Sequence, residues 1–323
     1  MKKSNFRKYI AYVKEQNQTT IEDFFIEKDY FLSLFLSTWQ TLKKEGKVSH
    51  LNALIFKGGT LLARNYLSYP RISEDLDFTH EDSNILRTLR SKGRRETEIR
   101  KRVIPIIDDI KGICDVAHFD FKMDRTNTKY IKVRNSRAVY IFTLYYNSLI
   151  TGEEIPIKVE VNFLEQMLHE PSEVRINTIV DYDVFLRSIG YDLINTTMKT
   201  YTLDEIILEK YRAVLTRDAL KERDILDLYL IYKRGADIFK ADNQLIFKKI
   251  QSGILISPDL KKNLEKNCQL LSVDSFGDSD DDISRFTLVK LEEGNYEQFK
   301  GPLYNKLQEI CTLCKKLRNI NSC

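Results

Sequence analysis

Residues 54–78 read LIFKGGTLLARNYLSYPRISEDLDF, and this stretch decides the expected fold. The short apolar run before the glycine pair predicts a strand, and the segment after the pair predicts a turn followed by a helix. Gly58 and Gly59 let the backbone approach a bulky ligand closely, and the first amides of a helix attract anions. A triphosphate therefore suits Gly58, Gly59 and Thr60, although a glycine pair by itself is common in tight turns.

Two carboxylates alternate with apolar residues at the end of this stretch. Asp75 and Asp77 flank Leu76, and side chains two positions apart in a strand lie on the same face of a sheet. Two such charges repel each other unless a cation lies between them, and carboxylate oxygens are ligands that Mg²⁺ or Mn²⁺ accepts. The pair is predicted to bind a divalent metal ion. The solvent-facing side of an edge strand is the alternative interpretation.

A third carboxylate lies in the segment IPIKVEVNF, residues 155–163. Apolar and polar residues alternate there, which predicts a strand with one buried face and with Glu160 on the polar face. If this strand neighbours the one that carries Asp75 and Asp77, three carboxylates converge, as in-line phosphoryl displacement with two metal ions requires. Spacing along the chain does not establish that the two strands are neighbours.

The whole chain predicts an α+β fold with a mixed or antiparallel sheet. Helical spacing of apolar residues dominates the first fifty residues and returns after about residue 200. Alternating segments rich in β-branched and aromatic residues predict strands at 116–123, 130–133, 137–147 and 155–163. We expect an N-terminal helical segment, residues 1–50, packed on a central α/β domain, residues 51–198, and a helical C-terminal domain, residues 199–323.

The charge distribution and the apolar runs of the sequence indicate which partners and which location to expect. The 323 residues carry a formal net charge of +4, and residues 87–102 hold eight basic side chains and two glutamates. This basic segment either guides an RNA or DNA backbone or is a solvated helix and loop. No apolar run is long enough to span a membrane, and the N-terminus lacks the apolar core of a signal peptide, so we expect a cytoplasmic protein with no membrane partner.

Two smaller features are assigned no catalytic role. The five cysteines are odd in number and lack a secretory context, so reduced thiols are expected rather than a disulfide framework. Residues 274–282, DSFGDSDDD, lack the glycine and glutamate placement of a helix-loop-helix calcium site. They are interpreted as an exposed acidic linker.

The order of these motifs resembles the polymerase β-like nucleotidyltransferase superfamily, whose core carries a glycine pair, an acid-x-acid strand and a third acid on a later strand. The chain supplies FKGGT, EDLDF and KVEVN for these three motifs. Within the superfamily it resembles the AbiEii/AbiGii toxins of type IV toxin–antitoxin and phage-abortive-infection systems. That narrower resemblance rests on residues 26–36, 57–78 and 205–231 and covers about residues 20–232.

The resemblance adds residues from the C-terminal half. It implies that Lys210 and an RD-x-x-D motif, Arg223-Asp224 with Asp227, complete the active site. Lys210 would offset triphosphate charge, and Arg217 or Arg223 would hold a phosphate oxygen. Surface ion pairing along two helices is the alternative. The predicted catalytic residues are Asp75, Asp77, Glu160, Lys210 and Asp224, with Asp75, Asp77 and Glu160 as metal ligands. The predicted nucleotide-binding residues are Lys57, Gly58, Gly59, Thr60, Arg71, Ser73, Lys210 and Arg217.

One further motif is left with two interpretations. Lys28 and Asp29 interrupt the apolar stripe of a predicted helix and resemble an EKD motif of the family. They either line the cleft or form a buried pair that docks this helix on the core.

The function implied by the resemblance is transfer of a nucleotidyl group from an NTP, with Mg²⁺ or Mn²⁺, to an acceptor hydroxyl. The family implies RNA as acceptor, particularly the 3′ end of tRNA, GTP or a pyrimidine triphosphate as donor, and a separately encoded antitoxin as partner. Growth inhibition or phage abortive infection would follow. The alternatives are a nucleotidyltransferase that modifies a small molecule such as an antibiotic, and a catalytically silent nucleotide-binding or interaction module.

Overall fold

A seven-stranded mixed sheet forms the centre of the fold, as a computed structural model shows. The structure describes residues 1–135, 137–180, 182–189, 191, 193, 195–271, 287–288 and 293–315. The strands are β1 (Leu54–Lys57), β2 (Asp75–His80), β3 (Ile131–Arg134), β4 (Val139–Asn147), β5 (Glu154–Asn162), β6 (Ser172–Arg175) and β7 (Thr197–Thr200). Their order across the sheet is β3-β4-β5-β2-β1-β7-β6. The β2–β5 and β1–β7 pairs are parallel and the others antiparallel, so the predicted α+β class with a mixed sheet is confirmed.

Helices precede, interrupt and follow the strands. They are α1 (Lys3–Asn17), α2 (Asp23–Lys44), α3 (Gly58–Leu61, continued by a π-helical turn Leu62–Tyr66), α4 (Ser83–Thr88), α5 (Lys92–Ala117), α6 (Tyr182–Ser188), α7 (Leu203–Thr216), α8 (Glu222–Lys233), α9 (Asn243–Ile256), α10 (Asp259–Leu270) and α11 (Glu293–Lys315). Short 3₁₀ turns lie at His50–Ala53 and Ile238–Lys240.

The chain divides into two compact units. The first contains residues 1–165, 171–201 and 285–289, and therefore the whole sheet. The second contains residues 166–170, 202–284 and 290–323, and its described elements are helical. The helices α1 and α2 belong to the first unit.

The two faces of the sheet differ in chemistry because side chains alternate along each strand. Leu76 and Phe78 of β2 lie on one face, the apolar face, where α2 covers them: the rings of Trp39 and Phe78 are 5.6 Å apart. On the same face Phe31 of α2 stacks on Tyr146 of β4 with ring centroids 3.7 Å apart. The acids of β2 point to the other face, which we call the carboxylate face.

Two buried charges hold α2 against its neighbours. Asp29 accepts a hydrogen bond from Arg64 at 2.7 Å, and both side chains are almost fully buried. Lys28 instead forms an ion pair with Glu74, one residue before β2. The two residues of the EKD motif are thus both buried, but each pairs with a different part of the unit rather than with the other.

The strand predicted at residues 116–123 is wrong. The helix α5 continues to Ala117, and His118 ends it in a left-handed conformation with φ 60°. Beyond it only an isolated bridge pairs Asp120 with Tyr145. Phe119 and Phe121 are buried although the segment that carries them is irregular. Their alternation with polar residues therefore resembled the pattern of a strand.

The expectation of reduced thiols is also corrected. Cys268 and Cys311 form a disulfide with their Cα atoms 5.8 Å apart, whereas Cys114 and Cys314 are free and buried. The two bonded cysteines are 43 residues apart, so their pairing is a consequence of helix packing that spacing does not encode. The predicted acidic linker, residues 274–282, lies outside the described residues.

Candidate active site

The three predicted carboxylates lie on two adjacent strands. The strands β2 and β5 pair in parallel, with Asp77 opposite Glu160 and Asp75 opposite Lys158. Because paired residues in a ladder share a face, Asp75, Asp77 and Glu160 all belong to the carboxylate face. The adjacency on which the sequence argument depended is therefore present.

Gly58 brings the glycine turn into contact with this acidic group. It ends β1 with a φ of +78°, and a Cβ atom placed on it would lie 2.2 Å from Oδ2 of Asp77. The carboxylate of Asp77 thus lies directly against the Gly58 backbone, where a side chain would displace it. Glycine is required here for both backbone conformation and space.

The residues predicted around the turn are close to it. A Cβ on Gly59 would lie 2.9 Å from Nη2 of Arg71 and 3.1 Å from Oγ of Ser73, so both side chains border the turn. Arg71 is buried. The hydroxyl of Thr60 donates to the backbone carbonyl of Asp75 at 2.5 Å, which fixes the start of α3 to the start of β2.

Electrostatics couple Glu160 to its neighbours. Burial raises the pKa of the Glu160 carboxyl, the charges of Asp75 and Glu165 raise it further, and those of Lys57 and Arg134 oppose the rise. A carboxylate with a raised pKa is one whose negative charge is poorly compensated. A bound cation on this face would supply that compensation.

Glu165 is a site neighbour that the sequence argument missed. It is buried, its carboxylate lies 3.6 Å from Nζ of Lys57, and it accepts a hydrogen bond from Asn162 at 3.2 Å. Lys57 is buried beside it at the end of β1. The available signal was an acid inside the apolar run that follows β5, since an isolated acid in such a run is seldom buried without a partner.

The donor set suits a magnesium-like ion. Carboxylate oxygens on one face are the ligands that such an ion prefers, and Mg²⁺ in nucleotide sites commonly takes one or two carboxylates together with substrate phosphates. Within the described ranges, no three His, Cys, Asp or Glu side chains are close enough to form a complete metal cage by themselves.

The residues predicted from the C-terminal half form their own cluster in the second unit. Lys210 of α7 contacts Asp224 at 2.9 Å and Asp227 at 2.6 Å, and both aspartates of α8 are fully buried. Nε of Arg217 lies 2.7 Å from Asp224, whereas Arg223 is exposed. The ion pairs that the alternative expects are therefore present, but a surface location is wrong for Lys210 and Asp224, which are buried.

A second buried ion pair in this unit was also not predicted from the sequence. Lys249 of α9 and Glu205 of α7 are both buried, with Nζ and Oε1 2.5 Å apart. Glu205 also accepts from the backbone amides of Leu168 and His169, at 3.0 and 2.9 Å. This pair fastens residues 166–170 to the helices of the unit.

Replacing Lys210 with alanine is expected to lower the free energy of unfolding by about 3–5 kcal/mol, because the buried carboxylates of Asp224 and Asp227 would lose a cation. Arg217→Ala is the matched control: its side chain is 36% exposed, so its loss is expected to cost about 1 kcal/mol or less. Urea unfolding of both variants measures the difference. Equal, small losses would contradict a structural role for Lys210.

The basic segment 87–102 runs from the last two residues of α4 through residues 89–91 into the first turns of α5. Several of its side chains are already engaged: Arg102 pairs with Asp82 at 2.8 Å, and Arg87 donates to the carbonyl of Leu164 at 2.9 Å. Its exposed cations are Arg90, Lys92, Arg94, Arg100 and Lys101. The helix α5 packs against α2, which covers the apolar face of the sheet.

A family model described as "Nucleotidyl transferase AbiEii toxin, Type IV TA system" matches residues 42–292. No curated protein sequence matches the chain. None of the described helices is long and apolar enough to cross a membrane.

Two solved structures align with most of this chain, and the first of them is similar in fold. MenT4, a nucleotidyltransferase toxin from Mycobacterium tuberculosis, is 17% identical with a TM-score of 0.53, and the alignment covers 94% of this chain and 89% of that chain. JHP933 from Helicobacter pylori is 14% identical with a TM-score of 0.44, over 94% of this chain and 99% of that chain. Since the family model spans most of its length, the chain belongs to the AbiEii family of nucleotidyltransferase toxins of type IV toxin–antitoxin systems.

Proposed function

We propose that this protein transfers a nucleoside monophosphate from an NTP to the 3′ hydroxyl of an RNA, such as a tRNA, with Mg²⁺ or Mn²⁺. The observation that carries the proposal is the contact of Asp77 with the Gly58 backbone, beside Glu160 on the neighbouring strand. The turn that would hold the phosphates is thus in contact with the face that would hold divalent cations. Transfer of a nucleotidyl group needs both at the same point.

The side chains of the first unit divide the work of binding. The backbone at Gly58, Gly59 and Thr60 would hold the β- and γ-phosphates, with Arg71 and Ser73 bordering them. Asp75, Asp77 and Glu160 would hold the metal ions through carboxylate oxygens, Glu160 serving the one nearer the acceptor. When bound, these ions activate the acceptor hydroxyl and stabilise charge on the departing pyrophosphate.

Further residues enter the proposal through the family. Lys210 would offset triphosphate charge, and Arg217 would hold a phosphate oxygen. Asp224 would orient one of these two cations. Lys57 would counter the acids from the end of β1. The donor would be GTP or a pyrimidine triphosphate. A separately encoded antitoxin would restrain the activity, which would otherwise inhibit growth or abort phage infection.

Label transfer from each α-labelled NTP separates the acceptor classes. The protein is incubated with Mg²⁺ and either total cellular RNA or a panel of small alcohols that includes antibiotics. We expect label in small RNA with one or two of the four NTPs. Label only in small alcohols would favour the small-molecule nucleotidyltransferase, and no label in either pool would favour a silent nucleotide-binding module.

A further inference from the structure

Three cations share the carboxylate face with the acids. Lys158 of β5 lies directly opposite Asp75 in the β2–β5 ladder. Lys132 and Arg134 of β3 lie across β4 from β5, and their ladder partners on β4 pair with Glu160 and with Asn162. Because paired residues share a face, all three cations project on the same side as the carboxylates.

These cations are exposed and uncommitted. Lys132, Arg134 and Lys158 are all exposed to solvent. In the part of the chain that the structure describes, none of the three side chains makes a hydrogen bond or an ion pair. Cations that face an active site without an anionic partner are available to an anionic substrate.

The positions of Lys132 and Arg134 exclude the triphosphate as their ligand, and Lys158 of β5 lies between them and β1. The sheet order places β5, β4 and β3 on one side of β2, whereas Gly58 follows β1 on the other side. Strands are about 4.8 Å apart, so β3 is about 19 Å from β1 and only about 10 Å from β5. Phosphates held at Gly58 lie too far away to meet Lys132 and Arg134. The proposed function assigns the acceptor to the side of Glu160, which is the side on which β3 lies.

We infer that Lys132, Arg134 and Lys158 bind backbone phosphates of a single-stranded nucleic-acid acceptor, next to its reacting 3′ hydroxyl. The inference rests on the proposed function and makes it more specific. It favours a nucleic acid over a small neutral alcohol as acceptor, because such an alcohol carries no phosphate for the cations of β3 and β5 to bind. Phosphate contacts fix the register of a strand without reading its sequence. The exposed cations of α5 would then touch only more distant parts of the RNA.

The test compares two double variants of equal charge. Lys132→Gln with Arg134→Gln removes the two β3 cations, and Lys92→Gln with Arg94→Gln removes two exposed cations of α5. Binding of a fluorescent single-stranded RNA oligonucleotide is followed by anisotropy over a salt series, without NTP. Each lost phosphate contact lowers the slope of log affinity against log salt by about 0.7, so the β3 variant should lose about 1.4. The α5 variant should lose less than half of that.

Transfer kinetics give the second measurement. We expect the β3 variant to raise the KM for RNA about tenfold or more and to leave the KM for NTP within about twofold of wild type. If wild type labels RNA while the β3 variant keeps its salt slope and its KM for RNA, the inference fails and the proposed function stands. If wild type labels no RNA at all, both fail. Unchanged melting temperatures confirm that both variants are folded.

Discussion

Gly58→Ala is expected to lower the rate of nucleotidyl transfer by about a hundredfold or more, since small misplacements of reacting groups cost about that much. The new Cβ would lie 2.2 Å from Oδ2 of Asp77 and 2.9 Å from its Cβ and Cγ. Either the turn moves away from β2 or the Asp77 carboxylate leaves its position. In both cases the backbone proposed to bind phosphates and the acid proposed to bind metal separate.

Gly46→Ala is the matched control for Gly58→Ala. Gly46 also has a positive φ, +69°, but a Cβ there would meet no atom within 4 Å. The left-handed backbone should cost each variant about 1 kcal/mol of stability, and Gly58→Ala should lose more because its Cβ meets Asp77. Only Gly58→Ala should lose activity, as initial rates of label transfer would show. Equal activity in the two variants would refute the contact between the turn and Asp77 as a functional one.

Glu160→Gln is expected to lower the rate of nucleotidyl transfer by about a hundredfold or more. The same substitution is expected to stabilise the metal-free protein at neutral pH. The amide is nearly the same size but is a weaker metal ligand and carries no charge. Burial raises the pKa of Glu160, which means that the folded state disfavours the ionised carboxyl. Glutamine removes that unfavourable charge.

The pH dependence of this gain follows from the direction of the shift. A raised folded-state pKa contributes stability at low pH that is lost as the pH rises through that pKa. Wild type therefore loses this stability towards neutral pH, whereas Glu160→Gln retains it. Urea unfolding without metal should show the two proteins converging as the pH is lowered. Added Mg²⁺ should stabilise wild type more than the variant; a variant that is less stable at neutral pH without metal would contradict the account.

Local patterns were sufficient to predict most of the strands and the turn that carry the candidate site residues. The glycine pair, the Asp75–Asp77 alternation and the alternation around Glu160 each depend on a few consecutive residues, and each produced the expected strand or turn. The strands predicted at 130–133, 137–147 and 155–163 agree closely with β3, β4 and β5. Alternation is reliable here because one face of each strand packs in the core.

Long-range pairings could not be read from the same patterns. The strands β2 and β5 are adjacent although their residues are about eighty positions apart. The sequence predicted only that three carboxylates converge if these two strands are neighbours. The short strands β6 and β7 carry too few residues for a clear period, and they were not predicted. The buried positions of Glu165 and of Lys249 also depend on tertiary packing, because charge alone predicts exposure for both.

The charges of the second unit show the same limit. Lys210, Asp224 and Asp227 read as ordinary surface residues on amphipathic helices, but their spacing brings them together in the interior between α7 and α8. Only the family resemblance distinguished them beforehand. Their functional role remains a proposal, separable from their structural role by comparing unfolding with activity in Lys210→Ala.

The most direct test of the central claim uses one NTP labelled either at the α- or at the γ-phosphate, with Mg²⁺ and cellular RNA. Wild type should retain the α label in RNA and release the γ label with pyrophosphate. Asp75→Ala should lower α-label incorporation by about a hundredfold or more, because a carboxylate of the metal-binding face is removed. Incorporation of the γ label, or equal α-label incorporation by both proteins, would contradict nucleotidyl transfer at this face.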